Sequence, residues 1–204
     1  MKKIIQLFCI LLTTSLFAQA NFTEPTTTKK RTIVLDAGHG GADTGVKKDE
    51  FQEKDIVLKI ANTIKERNPY QDIDFVFLRI GDEQIINTNR AKLINEIKPD
   101  LVLSLHANYD VKDSKKGTEI HISPMNPFFE QAKTLGEEIG KNVSSLGFDN
   151  LGIIETNSKV LRDAQAPTIM IEIGYLTNDQ DRKYLTNEAN YAKIADKILE
   201  VLKK

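Results

Sequence analysis

Cysteine is all but missing from this chain: the only one, Cys9, lies within the first ten residues. Tryptophan is absent, histidine occurs only at His39, His106 and His121, and the formal net charge is −1 with no long basic run. Each shortage narrows the chemistry. A lone thiol cannot build a disulfide framework, and Cys9 sits in a segment that reads as removable, so the rest of the chain has neither a cysteine nucleophile nor a thiolate metal site. Any metal must be held by histidine and carboxylate. The balanced charge argues against nucleic acid as the partner. What is present is ordinary: 204 residues, 40% hydrophobic and 28% charged, enough for one domain with a real core.

The N-terminus reads as a targeting segment. Lys2 and Lys3 precede an apolar stretch from Ile4 to Phe17, and Ala18-Gln19-Ala20 follows as an A-x-A cleavage signal. The apolar stretch is short for a bilayer span, and no stop-transfer run follows. We therefore expect residues 1–20 to be a signal peptide, residues 21–30 a flexible polar leader, and 31–204 a single exported domain, periplasmic or extracellular, with no transmembrane segment in the mature chain.

Strand-like and helix-like patterns then alternate. "RTIVLD" (31–36) is a contiguous apolar run ended by a glycine-rich turn, and "EKDIVLKIANTIKER" (53–67) places Ile56, Ile60 and Ile64 at helical spacing. A strand at 72–79, a helix at 87–98 and a strand at 100–105 repeat the alternation, with Pro69 and Pro99 closing the two helices. "GTEIHIS" (117–123) alternates apolar and polar residues, which predicts a strand with one wet face near a sheet edge. A helix over 128–146, a glycine-punctuated loop, a short extended "SKVLRD" (158–163), a strong strand at 168–174 and a helix over 188–204 complete the reading. The expected fold is α/β: a single domain with a twisted, mostly parallel sheet and helices on both faces.

His39 follows the first strand in "LDAGHGG", His106 ends the third in "SLHAN", and Glu172 interrupts the apolar run "TIMIEIG". Ligands gather at the carboxyl ends of parallel strands, so these three can share a cleft. "GHGGADTG" lacks the Lys-Ser/Thr ending of a phosphate loop and the spacing of a dinucleotide fingerprint. Two histidines and a carboxylate with one open position make a catalytic zinc arrangement. The residues alone leave that carboxylate open among Asp49, Glu50, Glu53 and Asp55, and leave a loop role for His39 and a core role for His106 equally available.

The motifs "IVLDAGHGG", "EKD", "FLRIGDE", "SLHAN", "GTEIHI" and "VLRDAQAPTIMIEIGYLTN" occur in that order. Together they resemble the catalytic domain of the zinc-dependent N-acetylmuramoyl-L-alanine amidases that cut peptidoglycan during cell division, and the likeness runs over residues 31–204. The resemblance implies that His39, Glu53 and His106 bind one Zn²⁺ and that Glu172 is the catalytic glutamate. It also implies that the substrate is the amide between the lactyl group of N-acetylmuramic acid and the first L-alanine of the stem peptide. Rival readings are a zinc peptidase or deacetylase acting on another wall amide, and a wall-binding module without activity. Ala37 and Tyr175 depart from the proline and phenylalanine usual in these motifs, and neither change removes a group the chemistry needs.

Arg79, Arg90 and Arg162 lie in the same motifs, where they would either bind stem-peptide carboxylates or form structural ion pairs with acids such as Asp82 or Asp163. Asp36 is a candidate to orient a metal-bound imidazole, and Glu119 and His121 are expected on the surface or the cleft wall. Only eight residues separate Asn108 from Gly117, too few for the blocking helix of some relatives. The cleft is therefore expected to be open in a monomer, with a protein activator kept among its candidate partners.

Overall fold

The computed structural model describes residues 29–203. The expected signal peptide, and the leader up to residue 28, lie outside the described residues. The chain runs through β1 (Arg31–Ala37), β2 (Lys47–Lys48), β3 (Phe51–Gln52), α1 (Glu53–Glu66), β4 (Ile73–Phe77), α2 (Asn87–Ile97), β5 (Leu101–Asn108) and β6 (Thr118–Ile122). It continues with α3 (Phe129–Ser144), β7 (Asn150–Glu155), α4 (Lys159–Asp163), β8 (Thr168–Tyr175), α5 (Asp179–Leu185), a 3-10 turn (Glu188–Asn190) and α6 (Tyr191–Leu202). The main sheet has the order β4-β1-β5-β8-β6-β7, and β2 pairs with β3 in a separate two-stranded ribbon. β4, β1, β5 and β8 are mutually parallel; β6 runs antiparallel to β8 and parallel to β7.

Strand alternation sorts the side chains into two unequal faces. Ile33, Leu35, Leu103, Leu105, Ile169 and Ile171 point one way into the main core, which α1, α3 and α6 cover. Burying each such side chain contributes about 1.5–3 kcal/mol. The opposite face carries a smaller core in which Val34 and Val102 meet Ile94 of α2 and Val160 of α4. Further along that face the row turns polar, through Asp36, Ser104, His106, Met170 and Glu172. This change of character toward the carboxyl ends of the strands creates the cleft. The interruption in "TIMIEIG" is thus one face of β8: Ile169, Ile171 and Ile173 are fully buried, while Met170 and Glu172 are half-buried on the other side.

Three expectations need correcting. The 117–123 strand is not at the sheet edge, because β7, in a stretch that reads as a loop, pairs with it on the outside. Its polar face is not wet either, since Glu119 and Ser123 are buried. "SKVLRD" is helical (α4) rather than extended, because Val160 and Leu161 both turn inward beside α2. The short helix α5, capped by the Asn178 side chain accepting from the Gln180 and Asp181 N–H groups, carries too few apolar residues to show periodicity. Among the described residues no helix is long and apolar enough to cross a membrane.

Candidate metal centre and active site

Three elements deliver the candidate ligands. His39 sits in the turn after β1 with φ 60, the left-handed region that histidine visits more readily than most side chains. Glu53 opens α1, where the helix dipole favours a carboxylate. His106 lies on β5, in register with Glu172 on β8. His39 Nε2 is 3.1 Å and His106 Nδ1 2.8 Å from the same oxygen, Glu53 Oε1. The two imidazoles meet edge to face with centroids 5.0 Å apart. One ligand atom from each of the three residues falls within 4.8 Å of the others.

Backbone groups hold the carboxylate in place. Val46 N–H donates to Glu53 Oε2 at 2.9 Å, and Ala107 N–H donates to Oε1 at 3.0 Å. The β5–β8 register shifts between His106 and Asn108, and such a bulge re-aims groups beside a site; here the Ala107 N–H turns to Glu53. Two glycines let the chain come close enough. A Cβ at Gly38 would lie 2.2 Å from the His106 ring, and one at Gly45 would lie 2.4 Å from Glu53 Oε2.

The imidazole of His39 is oriented by Asp43, whose Oδ1 lies 2.9 Å from Nδ1. A carboxylate can only accept, so the Nδ1–H donates to it and Nε2 is left to face Glu53. Asp36 does not have this role: fully buried, it takes a hydrogen bond from Ser104 Oγ at 3.0 Å and pairs with Arg90. Asp43 was legible only as an acid four residues after His39, with nothing in the spacing to single it out.

The arginines are all engaged. Arg79 donates to the carbonyls of Ala37, Gly38, Lys54 and Gly81, and Asp82 pairs with Lys54 instead. Arg90 binds Asp36 and the carbonyls of Ala37, His39 and Ile85. Arg162 forks onto Asp163. They build the loops around the site.

Burial and mutual charge set the protonation of the group. Burial by itself would lower His106, but its hydrogen bond to Glu53 and the nearby Glu172 and Glu53 charges push it up to about 9. Burial would likewise raise Glu53, and the two imidazoles hold it well below the usual carboxylate range instead. Burial raises Glu172, whose Oε2 is buried with no hydrogen-bond partner. Across from it, Glu119 accepts from Tyr175 Oη at 2.6 Å, Asn108 Nδ2 at 2.9 Å and His121 Nε2 at 2.9 Å. Glu119 and Glu172 face one another in register, so one carboxylate is saturated while its neighbour is left free to act.

This predicts the pH behaviour of protein stripped of divalent ions. His106 is raised from its ordinary 6.5 to about 9, so its contribution is fully present below pH 6.5 and is lost as pH rises through about 9. The loss is on the order of 3 kcal/mol. Denaturant unfolding in chelator between pH 6 and 10 should show the decline; a flat profile would remove the Glu53–imidazole attraction.

Residues 33–204 match the family described as N-acetylmuramoyl-L-alanine amidase (Amidase_3). The chain belongs to this family. It is 31% identical to the uncharacterized protein YqiI of Bacillus subtilis (strain 168) over 170 residues, covering 83% of this chain and 82% of YqiI. It is also 31% identical to the N-acetylmuramoyl-L-alanine amidase CwlM of Bacillus licheniformis, over 80% of this chain and 64% of CwlM. Among solved structures, the N-acetylmuramoyl-L-alanine amidase from Clostridium difficile 630 superposes with a TM-score of 0.81 at 29% identity, covering 86% of this chain and 96% of that one. That amidase thus shares this α/β architecture.

Proposed function

We propose that the protein is an exported peptidoglycan amidase that hydrolyses the bond between the lactyl group of N-acetylmuramic acid and L-alanine, with one Zn²⁺ held by His39, Glu53 and His106. The donor set supports the metal: two imidazoles and a carboxylate converge within 4.8 Å, and nitrogen–oxygen sets of this kind suit zinc. When bound there, zinc supplies Lewis acidity toward water and the amide carbonyl.

The observation that carries the reading is the orphaned Glu172 Oε2, buried beside His106 with no partner of its own. A carboxylate left free in this way accepts a proton from the attacking water and returns it to the departing amine. The second transfer is indispensable, because an amide anion is too basic to leave. The neighbouring residues assist by position: Asp43 keeps His39 in one tautomer, while Val46 and Ala107 keep Glu53 turned toward both rings. β5 and β6 are joined without an intervening helix, so nothing in that connection covers the cleft.

Incubating the zinc-loaded protein with purified sacculi tests the assignment. Mass spectrometry should find released stem peptides beginning with L-alanine and glycan strands keeping intact lactyl groups. Peptide fragments cut elsewhere, or deacetylated sugars, would overturn it.

A further inference from the structure

Two cavities meet at the candidate centre, and His39, His106 and Met170 line both. The first, about 330 Å³, is lined by Gln84, Asn87, Ser104 and Ser158, by Asp43, which is turned to His39, and by Asp36, which is paired with the cavity's one strong cation, Arg90. The second, about 560 Å³, contains Glu172, Tyr109 and Lys47. Lys47 is exposed and its ammonium joins no ion pair among the described residues, unlike the adjacent Lys48, which binds Asp113 at 2.9 Å.

We propose that the substrate lies across this divide with its sugar in the first cavity and its stem peptide in the second, where Lys47 selects stems whose second residue carries a free α-carboxylate. The assignment rests on the amidase reading above and follows from where the proton must go. The leaving amine belongs to L-alanine, and its proton donor must come within hydrogen-bond reach. Glu172 lines the second cavity and not the first, so the peptide departs on that side.

Charge gives the same answer. The muramoyl half is neutral, since its lactyl carboxylate is consumed in the scissile amide, and it suits the cavity with no free cation. The stem continues from L-alanine to a γ-linked D-glutamate, whose α-carboxylate is either free or amidated. Arg79, Arg90 and Arg162 are committed elsewhere, which leaves Lys47 as the cation to meet it. The backbone places it there: Val46, the preceding residue, donates its N–H to Glu53.

The test compares two synthetic muropeptides that differ only in a D-glutamate or D-isoglutamine second residue. The zinc-loaded wild type should favour the free carboxylate in kcat/KM by about fivefold, the scale of one exposed ion pair of about 1 kcal/mol. That preference should shrink in high salt. Lys47→Met should bring the ratio close to one and Lys47→Glu should invert it. L-Ala-γ-D-Glu should inhibit the wild type more strongly than Lys47→Met. A wild-type ratio of one, or a ratio unmoved by Lys47→Glu, overturns the proposal while leaving the amidase reading intact. Failure to cleave either muropeptide rejects both.

Discussion

Glu172→Gln should lower kcat by about 10³-fold while leaving bound zinc and KM close to wild type. The substitution keeps the volume of the side chain and removes only its capacity to take up and release a proton. Glu172 is not among the three groups that converge on the candidate centre, so metal content, measured by atomic emission, should not fall. Stability should move the other way. The wild-type carboxylate is half-buried, its Oε2 has no partner, and burial raises its pKa. A raised carboxylate pKa means the native state resists ionisation, so at neutral pH the charge is a burden that glutamine lifts. The metal-free variant should therefore melt at or above the wild-type temperature. Loss of zinc together with activity would make Glu172 a ligand; full activity would end its role as the proton carrier.

Arg90→Met should destabilise the fold by about 3–5 kcal/mol, because it strands the Asp36 carboxylate in the interior. Asp36 is 0% exposed, Arg90 is 3% exposed, and Ser104 would be the remaining side-chain donor to the acid. In a domain of this size the loss corresponds to a fall of about 10 °C in the melting temperature. Zinc affinity should weaken as well, since Arg90 also donates to the carbonyl of His39 and so fixes the turn that presents that imidazole. Asp36→Asn combined with Arg90→Met should regain part of the stability, because the buried charge is gone, while the untethered carbonyls of His39 and Ile85 keep it below wild type. A double-mutant cycle with no coupling between the two positions would refute a buried pair at the base of the turn.

These two experiments fall on opposite sides of what could be read from the chain alone. The six ordered motifs were enough to suggest the family, and apolar periodicity was enough for the α/β alternation. Both are local properties: contiguous runs such as Ile33-Val34-Leu35 mark buried strands, and Ile56, Ile60 and Ile64 mark a helix face wherever they are packed. Glu172 was visible for the same reason, as a charge in a run where desolvation makes an idle carboxylate costly. The main sheet's outer edge was not visible, because "NLGIIE" is mostly exposed and acquires strand character only by pairing with β6. Nor was the α4 helix, whose five residues are too few for a period and owe their conformation to contact with α2.

Within the site the same division holds. Residue types and motif order nominated His39, Glu53, His106 and Glu172. Only tertiary structure brought Asp43 to His39, separated Asp36 from that role by giving it to Arg90, and turned the Ala107 N–H out of the ladder toward Glu53. Only tertiary structure set a cavity without a free cation and a Lys47-bearing cavity on either side of the histidines. Hydrogen bonds and ion pairs between residues as far apart as Asp36 and Arg90 leave no periodic trace in the chain. They depend on which loops the parallel strands deliver to one end of the sheet, and that is decided by packing.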